Sequence, residues 1–554
     1  MKHKIKIFTV LFFCFHIIFV HFNLFSHVTQ IAKVMAEKEA VPVSVRPFSP
    51  IEQKARVAKD EVVVKSKEAE IAKKEQNKLV KKEETVDPKK EATPKKSKAD
   101  SPSASLFQEH QPAYAWNQPK EGKRRFEFHI IGGLSTESFY DSRQVFGSRH
   151  DELMFVPLQQ KFDNRGLDIN DKDQFNMLGF RTCIGLHVKG PQLWGAKTSA
   201  IIEGEFNGLA SGDVNDPNVS RLERARLDTT RLFRLERAHF NFAWRNTNLL
   251  VGHYYHPLVL DEMFPETISR AHGRGYDPFD WHPQIKLRHR MDNFEGVLAV
   301  SKRFYDEAAR LATTPDLFAQ LNFHINDQHI LGAGINYHVQ VPRIATDLGY
   351  KTTEHISSIY PFVFALIRAR QFDIKARFTY LENGSIYDII GSYAVTQRNE
   401  ATDEWKLTNI RTLSFWTEFI YKKFSKVEPA LFVGISKNIG APENIVKGYT
   451  ATITEDCEDR EICLPLLDRV SSIFPNIDYM FILSPRIRVR FGNFTLGAEI
   501  EFVRAAFAKT RFDQDGWERD YDNRYRVVNS TPVSTFRFLL ATFYHFDYIP
   551  FSWK

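Results

Sequence analysis

Arg486, Arg488 and Arg490 recur at every second position, with Ile487, Val489 and Phe491 between them. Residues two apart share one face of a β-strand, so this spacing sets three cations on one side and three apolar groups on the other. If Gly492-Asn493 is a two-residue turn, Phe491 pairs with Phe494 and Arg486 falls opposite Glu499. Lys286, Arg288 and Arg290 repeat the pattern, and the same arithmetic across Asp292-Asn293 pairs Arg290 with Glu295. Around and just before them, residues 259–282 carry Glu266, Asp277 and Asp280 beside Arg270 and Arg274. Such charges break no bonds. Either they steer ions and polar solutes along a wetted wall, or they are ordinary solvated loop and wall charges.

Catalytic patterns are missing from the sequence. It has no nucleophile elbow and no HExxH, and Gly332-Ala-Gly334 sits inside a strand pattern rather than ahead of a helix, so no enzyme and no cofactor are expected. Asp213-Val-Asn-Asp216 and Asp513-Gln-Asp-Gly516 lack the terminal Glu of a calcium loop, and no metal ligands are assigned. Of four cysteines, Cys14 lies near the N-terminus and Cys183 is isolated in a strand pattern. Cys457 and Cys463 stand six apart in a long loop; in an exported chain they read as a disulfide ring, and without a nearby His they make a poor zinc set.

The elements that position these charges alternate throughout. Phe372 to Tyr380 alternates for nine residues, about the length with which a tilted strand crosses a bilayer. Ala238, Phe240, Phe242 and Trp244 alternate with Arg237, His239 and Asn241, and Phe536, Phe538, Leu540, Tyr544 and Phe546 close the series. The mean hydropathy is −0.35 although the chain has 47 Phe, as expected where only one face of each strand is apolar. Tight turns are expected near Gly190–Trp194, Asn246-Thr247, Asp292-Asn293, Asn326-Asp327, Gln371, Ser425 and Gly492-Asn493, with long loops between them. The alternation of short and long connections gives an all-β fold: a transmembrane antiparallel β-barrel of about sixteen strands over 121–554. A large soluble β-sandwich or propeller is the other architecture that short alternating strands allow.

The N-terminus differs. Lys2, Lys4 and Lys6 precede an apolar stretch from Ile7 to about Phe25, which reads as an export signal over 1–36, an uncleaved anchor helix being the alternative. Residues 37–120 are rich in Lys, Glu and Ala, with Pro88, Pro94 and Pro102, and read as a disordered or partly helical spacer. The formal net charge is +7, of which residues 1–36 carry +4. Seventeen basic against thirteen acidic residues in 37–100 give another +4, leaving −1 for the remainder. The pI of about 8.9 therefore belongs to the leader and spacer and indicates no nucleic-acid partner.

Arg237-Ala-His-Phe-Asn-Phe, the hairpin after it, and the run from Leu249 to Pro257 resemble a paired motif of the Gram-negative outer-membrane porin superfamily, a likeness that extends over about residues 125–546. The resemblance implies a passive channel for small hydrophilic solutes or ions, with outer-membrane lipid as surroundings and the third long loop as constriction. In this sequence that loop is 259–282, so Glu266, Arg270, Asp277 and Asp280 would face Lys286, Arg288 and Arg290 across the pore. Arg486, Arg488, Arg490 and Glu499 would line the wall. The expected place is the outer membrane of a diderm bacterium, with both termini periplasmic. The alternative is a structural anchor whose spacer, 37–120, contacts peptidoglycan, and assembly as a homotrimer also stands open. Such barrels usually end on an aromatic residue, whereas the last alternating run here ends at Phe546, eight residues before the end of the chain.

Overall fold

The computed structural model describes residues 126–145, 155–179, 182–209, 231–269, 271, 273–303, 307–326, 328–446, 476–513, 516–519 and 521–553. Residues 1–36 and 37–120, expected to be an export signal and a spacer, lie outside them, as do Arg270, Cys457 and Cys463, so the expected disulfide ring falls there too. In chain order the strands are β1 (Phe126–Asp141), β2 (Gln174–Leu178), β3 (Cys183–Lys189), β4 (Lys197–Leu209), β5 (Arg231–Ala243), β6 (Thr247–Tyr255) and β7 (Trp281–Met291). There follow β8 (Phe294–Ser301), β9 (Asp316–Asn326), β10 (His329–Gln340), β11 (Ile356–Arg368), β12 (Phe372–Glu382), β13 (Ser392–Arg398) and β14 (Trp405–Tyr421). The last are β15 (Val427–Gly440), β16 (Ile477–Phe491), β17 (Phe494–Ala508), β18 (Thr510–Asp513), β19 (Gly516–Arg519) and β20 (Ser530–Trp553). Helix is almost absent from the described residues: one turn at Glu307–Leu311 and a 3₁₀ turn at Gly384–Tyr387.

Sixteen strands close an antiparallel barrel: β1, β3 to β12, β14 to β17, and β20, which returns to pair with β1. β2 and β13 lengthen the sheet inside long loops, pairing with β1 and β14. The registers follow from turn chemistry. Phe491 faces Phe494, and Arg486 faces Glu499; Met291 faces Phe294, and Arg290 faces Glu295. Trp194 and Gly195 take positive φ in the turn between β3 and β4, whose ends bond reciprocally at Leu193 and Ala196.

The faces are inverted relative to a soluble sheet. Phe240 is 62% exposed and Leu298 60% on the outside, whereas Arg377, Glu418, Arg486 and Glu499 point inward and are buried. An apolar belt around a polar interior suits hydrocarbon outside and water or polar protein inside. β20 runs further than its alternation indicates. Its ladder continues to Trp553, opposite Phe126, and a bulge between Phe128 and Ile130 absorbs Ile549 and Pro550. Proline cannot donate to the ladder, so the bulge is where it fits. The ends of β1 and β20 share the rim of the short turns, since Glu127 also pairs with Lys189.

Candidate functional site

The loop between β6 and β7, residues 256–280, folds into the barrel. Its root is closed by His256 N–H donating to Asp280 O at 2.8 Å. Beside the root, Lys286 Nζ lies 3.1 Å from Asp261 Oδ2, and Tyr254 donates its hydroxyl to Asp261 Oδ1 at 3.1 Å. Arg288 bonds Glu262 of the loop and, at 3.2 Å, Glu295 of β8. Alternation on β7 turns Lys286 and Arg288 inward, and the loop lays two acids over them.

The loop then crosses to the far wall. Glu266 meets Lys375 of β12 at 3.0 Å and Arg488 of β16 at 3.2 Å, while its own N–H donates to Glu418 of β14 at 2.9 Å. Arg486 bonds Glu418 at 2.7 Å, so its partner is not the Glu499 that it faces in register. Glu499 instead accepts Ser269 N–H at 2.7 Å and the Ser484 hydroxyl, and so caps the loop tip. Arg488 and Arg490 both reach Glu428 at 3.0 Å. At the tip, Ile268 packs with Phe139 of β1 and Leu539 of β20.

The returning limb is held as firmly. Asp277 Oδ1 accepts from Arg377 Nη1 at 2.9 Å and from Trp416 Nε1 at 2.8 Å. The same Arg377 nitrogen donates to Leu258 O at 2.7 Å, so one guanidinium of β12 ties both limbs. The Ser414 and Ser436 hydroxyls donate to Tyr276 O and Gly275 O, and Gly275 N–H donates to Asp388 O at 2.9 Å. Gly434 leaves room for the Tyr276 ring, which a Cβ there would meet at 2.6 Å. Arg274 lies 3.5 Å from Asp388 and over the Phe279 ring. Asp280 meets His282 at 2.9 Å and Arg303 at 3.1 Å.

Under the loop, Leu258, Leu260, Met263 and Tyr276 pack on inward-facing Phe318, Phe362, Phe364, Leu366, Trp416 and Phe432. The half of the lumen walled by β8 to β17 is thus a protein core. Buried apolar surface contributes roughly 25 cal/mol per Å², so this packing, together with the ion pairs, holds the loop across the bore. The wall formed by β1, β3, β4 and β5 instead turns His129, Ser135, Glu137, His187, Glu203, Arg237 and His239 inward.

Sequence alternation placed Lys286, Arg288, Arg486, Arg488, Arg490 and Glu499 inward, and there they stand. The pairing differs. Glu266, Asp277 and Asp280 do not oppose the β7 cations across a gap: Glu266 and Asp277 bond the far wall, and Asp280 stays at the root. Arg290 Nε donates to Asp292 O in the β7–β8 turn at 3.1 Å. The residues that sequence reasoning missed are Asp261, Glu262, Lys375, Arg377, Glu418 and Glu428. Lys375 and Arg377 carried a usable signal, two cations on the inward face of a nine-residue alternating run.

No family model and no curated protein matches the chain. Solved structures do. OmpT of Vibrio cholerae, expressed in the outer membrane, is 10% identical over 77% of this chain and 99% of its own, with a TM-score of 0.41. OmpF of Salmonella typhi is 11% identical over 76% and 98%, with a TM-score of 0.42. OprB of Pseudomonas putida is 9% identical over 76% and 94%, with a TM-score of 0.41. The chain is similar in fold to outer-membrane β-barrel proteins.

Proposed function

We propose that this protein is a porin: a passive, water-filled channel for small hydrophilic solutes or ions in the outer membrane of a diderm bacterium, with its long loops outside and both barrel ends periplasmic. The observation that carries this reading is the inward fold of residues 256–280 across a closed barrel with an apolar outer belt. A loop pinned on both walls narrows the bore without sealing strands, which is how a channel sets a size limit. Because the β8 to β17 side is packed, solutes pass along the β1 to β5 wall. Lys286, Arg288, Glu266 and Asp277 then set the constriction by holding the loop rather than by touching solute.

Planar-bilayer recording of purified full-length protein tests the reading, with ohmic steps expected. A folded, inserted barrel that conducts nothing would favour the anchor function, with peptidoglycan bound through 37–120. The path is tested separately. Asn241→Cys, only half-buried on the inward face of β5, is expected to lose current on treatment with a charged thiol reagent, whereas Val297→Cys, buried in the packed half, is expected to be silent. The reverse pattern would move the path to the other wall.

A further inference from the structure

Residues far apart in sequence meet where the root of the inward loop joins the barrel. His256 begins the loop, His282 is the second residue of β7, and Asp316 is the first of β9. All three are at most 2% exposed, and one ligand atom from each lies within 4.8 Å of the others. At metal–ligand distances of about 2.0–2.2 Å, donors around a tetrahedral ion stand roughly 3.3–3.5 Å apart, so small side-chain rotations close the set.

We propose that His256, His282 and Asp316 form a binding site for a divalent transition-metal ion of the zinc class, one that pins the root of the loop to the barrel wall.

The ring nitrogens carry the argument. His282 Nε2 lies 2.9 Å from Asp280 Oδ2, and its Nδ1 is buried without a hydrogen-bond partner. This is the arrangement of a metal-binding histidine, in which a carboxylate takes the proton of one nitrogen and leaves the other for the ion. Asp280 is itself held by Arg303 at 3.1 Å. His256 Nε2 is likewise buried with no hydrogen bond, 3.4 Å from Asp316 Oδ2. The two rings stand edge to face, with centroids 4.8 Å apart. Asp316 is oriented by His338 Nδ1 at 2.6 Å and by the Tyr387 hydroxyl at 3.2 Å.

A buried nitrogen without a hydrogen bond destabilises the fold, and here two of them belong to one tight cluster with a carboxylate. A cation bonded to both nitrogens and to the carboxylate removes that cost. Two imidazoles and one carboxylate suit zinc, cobalt or nickel, whereas calcium and magnesium demand oxygen. Loading has one structural consequence. Leu258 N–H points at His256 Nδ1 at 3.2 Å, and an ion on Nε2 puts the ring proton on Nδ1, so that contact opens as the ion enters.

Full-length protein in detergent, stripped with chelator and dialysed, is titrated with zinc ion by calorimetry and with cobalt ion by visible absorption. One zinc ion per chain and a cobalt ligand-field band displaced by zinc are expected. Asp280→Asn, which leaves all three ligands in place, should weaken zinc binding about 10- to 100-fold. Asp316→Asn should weaken it further, with barrel folding followed independently by heat-dependent gel mobility. Failure of the stripped parent protein to take up stoichiometric zinc overturns the proposal. So does undiminished binding in a folded Asp316→Asn variant. Should Asp316→Asn not fold, the parent titration and Asp280→Asn decide the matter, since equal affinity of those two would also overturn it.

Discussion

Arg377→Met removes the guanidinium that joins Leu258 O and Asp277 while keeping an unbranched side chain of similar length. Arg377 and Asp277 are both buried, at 1% and 3% exposure, so the substitution leaves a carboxylate inside the barrel with the Trp416 N–H as its remaining direct donor. Removing one partner of a buried ion pair costs about 3–5 kcal/mol. At about 1.4 kcal/mol per factor of ten, the docked loop loses roughly two to almost four powers of ten over undocked arrangements. The strand ladders are untouched, so the barrel should still insert. The expected phenotype is a noisy channel: frequent current steps, and larger mean conductance when the loop is displaced. The double variant Arg377→Met, Asp277→Asn should recover most of the loss. It removes the uncompensated charge, and the parent guanidinium is itself incompletely satisfied, since its Nε and Nη2 have no hydrogen-bond partner. Single-channel traces of the three proteins in one lipid decide the point. If Arg377→Met is as quiet as the parent, or if the double variant is as noisy as the single one, the pair does not hold the loop.

Neutralising the β7 cations should separate two roles. Arg288→Gln leaves Glu262 and Glu295 without their shared cation, a loss of about 3–5 kcal/mol to be read as loop noise, whereas Arg290→Gln should assemble normally and shift the reversal potential toward cations. Gly497→Val should loosen the loop tip, because a Cβ at 497 would stand 2.6 Å from Ile268 Cδ1; faster proteolysis within 256–280 would show it, and an unchanged rate would refute it. At the long-loop end, burial opposes ionisation of Asp403, but hydrogen bonds from Arg398, Arg343 and Trp405 outweigh it and hold the carboxyl at about 2, below its usual 3.8. A depressed carboxyl stabilises fully above its unfolded value and loses that contribution as pH falls through the folded one, so the contact between loops 341–355 and 399–404 should weaken between about pH 4 and pH 2. Amide exchange in those loops, measured across that window, checks the direction.

The barrel was legible because its causes are local. Period-two alternation and turn residues fix each hairpin, so the sixteen-strand pattern and the Arg486–Glu499 and Arg290–Glu295 registers could be counted from neighbours in sequence. The partners of the loop were not legible, because they depend on how far the loop reaches before it docks. Glu266 and Arg488 are 222 positions apart, and Arg377 and Asp277 are 100 apart. No spacing rule links such residues. Proximity in sequence to Lys286, Arg288 and Arg290 pointed to the wrong wall.

The charges themselves contain the reason. An acidic loop could rest against a nearby basic strand only if its middle stayed close to the root, and Asp261 and Glu262 already occupy that place. Phe264 still packs beside the root with Tyr255 and Phe279, but Met263 and Ile268 need partners that the β7 face does not offer, since its inward positions are His282, Gln284, Lys286 and Arg288. The inward faces of β11, β14 and β15 offer Phe362, Trp416 and Phe432, and the tip reaches Phe139 and Leu539. Apolar burial therefore draws the loop across the lumen, and once it is there its carboxylates must find cations or remain buried and unpaired. Lys375, Arg377 and Arg488 meet that need. The inward charges of the far wall therefore exist for the loop rather than for the solute, whereas Glu137, Glu203 and Arg237 turn inward on the β1 to β5 wall, where the loop brings no carboxylate.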